Sequence, residues 1–178
     1  IVGLGGAGFP THIKMKKKPD VKIEEVILNG AECEPYLTSD QLNMELYPQK
    51  AIGGLKIIMK LMDCDKGYIG VEDNKQKAIG ILKNAAKDEK NISICAVKTK
   101  YPQGDERRLI NAITGKKISK AQRSNERGVQ GLNISSAMAI YDAVVHSIPL
   151  THRIVTMTGS AIKEPKNIYV PVGTKFKD

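Results

Sequence analysis

The chain has 178 residues, 41% of them hydrophobic, with a formal net charge of +9; that length suits one domain, or one domain with the start of another, and no apolar run approaches the length of a bilayer span. Three cysteines with no C-x-x-C argue against a disulfide framework, a zinc site or an iron–sulfur cluster in this segment, and fit a reducing, cytoplasmic compartment. The basic balance favours anionic partners, but with 4% aromatics and no Trp the pattern speaks against nucleic acid.

The chain opens on IVGLGGAGFPTHIK, with Gly3, Gly5, Gly6 and Gly8 close together. Such a stretch lets another group lie against the main chain. Its spacing satisfies G-x-G-x-x-G, a dinucleotide fingerprint that carries weight only between a strand and a helix. The first residues lack the basic region of a secretory leader, and the absence of an initial Met suggests a piece of a longer protein. Lys16-Lys17-Lys18 reads as a solvated turn before Pro19.

EEVILNGAECEPYL predicts a buried strand at Val26–Leu28, ended by Asn29 and Gly30 and followed by Glu32 and Glu34 in a loop. Ser39 and Asp40 are N-cap candidates for a helix through Leu42 and Met44. Pro48 is suited to start another helix, with Leu55, Ile58, Met59 and Met62 on one apolar stripe. GYIGVE reads as a second strand, leading to a helix that buries Ala78, Ile81, Leu82 and Ala85. NISICAVK alternates and reads as a third strand. After YPQGDE a helix turns Leu109, Ile110 and Ile113 inward and ends at Gly115. KKISKAQRSNERGVQG has no apolar period and is predicted to be loop, whereas ISSAMAIYDAVVHSI returns to helix with Ile134, Ala137, Met138, Tyr141 and Val145 on one side. RIVTMTG and NIYVPVG read as a hairpin, which is marginal alone.

The alternating order predicts an α/β fold with a mainly parallel, Rossmann-like sheet flanked by helices. The expected division is residues 1–150 for this domain and 151–178 for the start of a second, smaller one. Ligands of such sheets bind at the carboxyl ends of the strands, where NGAECEP and YPQGDE both fall.

Three separated loops, GLGGAGFPTHIK, LNGAECEPYLTSD and YPQGDERRLINAITG, carry a joint pattern that resembles the C subunit of the Rnf electron-transport complex. More distantly, it resembles the NADH-binding flavoprotein subunit of respiratory complex I. PLTHRIVTMTGSAIKEPKNIYVPVGT is similar to the start of the β-grasp (SLBB-type) domain that follows in both families. A close relative with the same layout is the electron carrier associated with proline reductase, which would pass electrons to a soluble reductase. The resemblance implies a flavoprotein domain that binds FMN and NAD(H), with iron–sulfur clusters in a C-terminal region beyond this segment. It also implies partner subunits of a membrane-bound complex at the cytoplasmic face, though the segment has no transmembrane element of its own.

By the same resemblance, the loop of Gly3, Gly5, Gly6 and Gly8 lies against FMN and NADH, Lys14 matches the lysine of the FMN-phosphate region, and Phe9 matches an aromatic that stacks on NADH. Taken alone, Phe9 reads equally well as a core aromatic. Asn29 matches a flavin-bonding residue; Glu32 and Glu34 match two acids, one near the flavin and one near the dinucleotide. Tyr101, Gly104, Asp105 and Glu106 match a Y-x-x-G-D/E-E motif, although Glu106 would also be favoured simply by opening a helix. Asn133 and Ser136 fall where the family contacts the ribityl-phosphate side, and either also serves as an N-cap. No metal ligand or covalent catalyst is expected, and Cys33 reads as a packing residue. Three departures stand out: Lys17 replaces a second aromatic, Leu132 a polar residue and Ser135 a glycine. The first implies weaker adenine binding; Leu132, Ser135 and the loop ISKAQRSNERG, which lacks the family's Pro- and Gly-rich run, favour the alternative of a non-catalytic docking domain that has lost the flavin.

Overall fold

The computed structural model describes residues 1–176; Lys177 and Asp178, the end of the expected second domain, lie outside the described residues. Four strands, β1 (Glu25–Gly30), β2 (Gly67–Glu72), β3 (Ile92–Val97) and β4 (Val129–Asn133), form one sheet in the order β3-β2-β1-β4. All of its pairings are parallel. β1 is central and covered on both faces, which is why Val26, Ile27 and Leu28 form an unbroken apolar run, each at most 1% exposed.

The helices are α1 (Thr11–Lys14), α2 (Ser39–Leu46), α3 (Pro48–Met62), α4 (Gln76–Ala85), α5 (Glu106–Thr114) and α6 (Ile134–Val145). Pro48 is the first residue of α3, where its missing N–H costs nothing. The larger core cluster sets Leu55, Ile58 and Met59 of α3, Leu82 of α4 and Ala137 of α6 against Val26, Leu28, Ile69 and Leu132 of the sheet. On the other face Ile27, Val97 and Val129 meet Leu109 and Ile110 of α5. The chain therefore winds from β1 outward to β3 and then returns, through α5, to the opposite side of β1. A crevice opens at such a reversal, between the carboxyl ends of β1 and β4.

Four local expectations are corrected. The stretch predicted as loop before α6 contains a single 3₁₀ turn, Ser124–Arg127, and then β4 itself. Polar Gln130 and small Gly131 interrupt its apolar run, yet Gln130 is only 2% exposed because α5 and β1 enclose the strand. In α4 the buried side chains are Ala78, Ile79 and Leu82, not Ile81, so the inward face is rotated toward Ile79. Val145, at the end of α6, is 51% exposed. Finally, α2 starts after Thr38, and neither Ser39 nor Asp40 is its cap; the Glu32 carboxylate, eight residues upstream of Asp40, accepts from the N–H groups of Asp40 (3.0 Å) and Gln41 (3.2 Å). A carboxylate there meets the positive end of the helix dipole.

β5 (His152–Met157) and β6 (Lys166–Pro171) form the expected antiparallel hairpin. Its Asn167 donates to the Thr38 hydroxyl (2.9 Å), and its Arg153 donates to the carbonyl of Leu4 (3.3 Å), so it touches the α/β domain on two sides.

Candidate functional site

The glycine-rich segment is a self-closed loop and not the turn of a β-α unit. Gly3 N–H donates to the Phe9 carbonyl (2.9 Å), Gly8 N–H to that of Gly5 (3.0 Å), and Val2 bridges Pro10. Gly8 closes it at φ +58°, a conformation that costs glycine little. The loop lies over the carboxyl end of β4, where Leu4 N–H donates to the Ser136 hydroxyl at 2.7 Å.

Beneath it, at the crevice between β1 and β4, is a cavity of about 240 Å³. Gly3, Gly5, Gly6, Phe9 and Lys14 border it from the loop side, and Asn29, Gly104, Glu106, Asn133 and Ser136 from the strand ends and helix starts. Ile27, Leu109, Ile110 and Leu132 supply apolar lining. Residues from all three separated loops, and from the start of α6, thus converge on one space. Phe9 is 44% exposed, which rules out the core-aromatic reading.

Several of these side chains hold one another. Lys14 Nζ pairs with Glu106 Oε2 at 2.5 Å, and the Ser124 hydroxyl donates to the other carboxylate oxygen. Asn29 donates to the Gly104 carbonyl (2.8 Å) and accepts from Ala31 N–H (3.0 Å), tying the end of β1 to the third loop. Gly104 is there because a Cβ would stand 2.4 Å from the Ala31 carbonyl oxygen and 2.9 Å from the Cys33 sulfur; Cys33 is accordingly a packing residue. Asn133 Oδ1 accepts from Ser136 N–H at 3.1 Å and is the N-cap of α6.

The remaining candidates lie beside this cavity. Glu32, Glu34 and Tyr101 border a separate recess of about 270 Å³ with Glu72 and Lys75. Burial pushes the Glu72 carboxyl up, against the pull of Lys75. Asp105 is the N-cap of α5, accepting from Arg108 N–H at 3.2 Å. It faces a third recess, of about 370 Å³, which shares Phe9, Lys14 and Glu106 with the main cavity. Gly8 lines none of the three.

A family profile described as the Nuo51 FMN-binding domain matches residues 1–142. The chain belongs to that family. Over its whole length it is 47% identical to the C subunit of a proton-translocating ferredoxin:NAD(+) oxidoreductase complex from Clostridium ljungdahlii, covering 39% of that protein. It is 45% identical over 177 residues to the corresponding subunit of the Na(+)-translocating complex of Acetobacterium woodii, covering 40% of it. Among solved structures, an NAD+-reducing NiFe-hydrogenase in the H2-reduced state superposes with a TM-score of 0.83 at 20% identity, over 98% of this chain and 35% of the other. The chain thus spans about two fifths of the curated relatives it matches. The resemblance to the Rnf protein read from the three loops and the parallel α/β fold both stand.

Within this Nuo51-type domain two of the departures find local explanations. Leu132 is 3% exposed and packs in the larger core cluster. The Ser135 hydroxyl accepts from Asn43 Nδ2 (2.8 Å) and donates to Asp40, and it borders the groove behind the cavity, between α2, α6 and the hairpin. Two contributors were not among the sequence candidates. Ser124 completes the environment of Glu106, and Asp40 accepts from Asn133 Nδ2 at 2.7 Å. The only sequence signal for Asp40 was its place at a helix start.

Proposed function

We propose that this chain is a flavin domain of an Rnf-like electron-transport complex, holding FMN in the cavity between β1 and β4 and admitting NAD(H) beside Phe9. The observation that supports the reading most is the convergence of the glycine-rich loop, Asn29, the Gly104–Glu106 turn and the start of α6 on one space at the topological reversal of the sheet. The residues suit the group. The Gly6 Cα faces an opening with no atom within 4 Å of where a Cβ would be, leaving room for a planar ring against the backbone. Lys14 and the α6 N-terminus supply positive charge for a phosphate, and Ile27, Leu109 and Ile110 give a ring an apolar support.

When bound, FMN would supply hydride exchange with nicotinamide and one-electron exchange with a further carrier. The protein's own part is positional. Lys14 exchanges its contact with Glu106 for a phosphate oxygen, while Ser124 keeps the Glu106 carboxylate in place. Asn29, already donating to Gly104, presents its remaining amide hydrogen to the ring. Glu34 and Tyr101 border the recess where ribose hydroxyls would be accepted, and the acids there disfavour an additional phosphate, selecting NAD(H) over its phosphorylated form. The proposed acceptors are iron–sulfur clusters outside residues 1–178, and the proposed setting is peripheral, at the cytoplasmic face of a membrane. Among the described residues no helix is long and apolar enough to cross one. The hairpin β5–β6 is, in this reading, the start of a β-grasp domain.

The test is an absorption spectrum of the protein after FMN is added and the excess removed. A retained flavin band that NADH bleaches supports the reading. A retained band that NADH leaves unchanged removes NAD(H) from it, and no retained flavin overturns it.

A further inference from the structure

Behind the cavity a chain of hydrogen bonds joins elements remote in sequence. Asp40, in the first turn of α2, accepts from Asn133 Nδ2 at 2.7 Å and from the Ser135 hydroxyl. Asn133 turns its Oδ1 to Ser136 N–H (3.1 Å), and the Ser136 hydroxyl accepts from Leu4 N–H (2.7 Å) in the glycine-rich loop. The donors and acceptors of this chain fit in one arrangement. The Ser135 hydroxyl receives Asn43 Nδ2 and so directs its own hydrogen to Asp40. The Asn133 amide must then direct its NH2 at the carboxylate and its oxygen at α6.

We propose that Asp40 is a positioning residue for the cofactor cavity: its carboxylate fixes the Asn133 amide in the orientation that caps α6 and, through Ser136, anchors the glycine-rich loop. The proposal rests on the flavin reading above for its effect on affinity, but not for the hydrogen-bond chain itself. It implies a response to pH. Protonated on the oxygen that faces Asn133, Asp40 becomes a donor, and the amide must flip to accept from it. The flipped amide sets an NH2 against Ser136 N–H, so the cap is lost.

Asp40 is placed to titrate in a useful range. Desolvation pushes its carboxyl up to about 6, with the Glu32 carboxylate adding to the rise; the hydrogen bonds from Ser135 and Asn133 and the charge of Arg153 oppose it. Besides Arg153, the charged or titratable groups on the same groove are His152 of β5, stacked on Tyr169, and Lys50 of α3, which lies over the Tyr47 ring at 5.0 Å and pairs with Asp142 of α6 at 2.8 Å.

The experiment measures FMN affinity against pH for the intact protein and for Asp40→Asn and Asp40→Ala, with amide hydrogen exchange at Leu4 and Ser136 in the flavin-free state. Wild type is expected to weaken roughly tenfold as a helix cap is lost, with the fall centred near pH 6. Asp40→Asn is the uncharged counterpart of the protonated acid, its oxygen taken by Ser135 and its NH2 facing Asn133, so it holds the low-pH affinity of wild type throughout and shows no such fall. Asp40→Ala is weak throughout and exchanges both amides faster. Unchanged affinity and exchange in Asp40→Ala overturn the proposal. So does a fall near pH 6 that Asp40→Asn retains, which would take the titration away from Asp40. If Asp40→Ala does not fold, the Asp40→Asn profile decides. If wild type binds no FMN, the flavin reading fails separately and amide exchange alone decides: faster exchange in Asp40→Ala supports the positioning role, and unchanged exchange overturns it.

Discussion

The two helices that begin at the cavity are capped alike, by a side chain three residues back, but the two caps are supported differently. α5 is capped from within its own sequence: Asp105 accepts from Arg108 N–H, three residues on. α6 is capped by Asn133, whose amide is held by Asp40, 93 residues away. The first arrangement depends on local geometry and survives wherever the helix forms. The second exists only when β4, α2 and α6 are already packed together. A binding site with one wall of each kind has a side held by local contacts and a side whose geometry depends on the packing of remote elements.

The sharpest way to break this comparison is at the hinge between the two walls. In Gly104→Ala the new Cβ meets the Ala31 carbonyl oxygen at 2.4 Å, and backbone cannot yield as a side-chain tip can. A loss of about 3 kcal/mol in chemical denaturation is expected, together with loss of flavin retention. Gly6→Ala is its counterpart: no atom lies within 4 Å of its Cβ position, so the denaturation curve stays within about 0.5 kcal/mol of wild type. Its FMN affinity falls nonetheless if the ring lies against that glycine. Equal stability loss in the two variants would refute the placement of the ligand.

The caps themselves come next. Asn133→Ala removes a cap and strips Asp40 of a donor, so about 2 kcal/mol is expected; Asp105→Ala, at an exposed and purely local cap, should cost about 1 kcal/mol. If both cost the same, the long-range support of α6 contributes nothing. Smaller still is the Lys14–Glu106 pair, whose side chains are 32% and 36% exposed. Lys14→Ala is expected to change stability by less than about 1 kcal/mol while weakening FMN roughly tenfold through a lost charge-assisted contact to phosphate.

The last effect is one of sign. Asp40 has its carboxyl raised from 3.8 to about 6, so the folded protein binds the proton more tightly than the unfolded chain does. The stability this group contributes is therefore fully present below about 4 and is lost as pH rises through about 6. Asp40→Asn lacks that loss. Its melting temperature relative to wild type should climb from acid to mildly alkaline buffer, the opposite of what removal of a salt-bridged aspartate would give.

The same contrast between local and remote support explains what could be read from the residues. β1 was legible because a strand covered on both faces by helices carries an unbroken apolar run, as in Val26–Leu28, β2 from the β-branched Ile69 and Val71 in its short run, and β3 because its residues alternate. β4 was hidden because two of its five residues serve other ends. Gln130 turns its amide back to the Gly131 carbonyl (3.2 Å), and Gly131 is small because a Cβ there would stand 2.9 Å from Glu106 Cδ. The three loops that form the cavity were readable as a joint pattern, whereas Asp40 and Ser124 act only through partners that folding brings to them. Glu32 was noticed as an acid of the site, but its carboxylate is spent on the first turn of α2, an assignment that no spacing rule supplies.

The closed glycine-rich loop carries a consequence for how quickly a ligand can come and go. Ordering a flexible segment on binding costs about 1–2 kcal/mol per residue, and a run of glycines is where that cost is highest. Here Gly3, Gly8 and Thr11 already have their N–H groups engaged within the segment, at 2.9, 3.0 and 3.1 Å. The docking surface is therefore preorganised. A cofactor arriving at it meets a rigid rim, and one leaving it melts nothing behind.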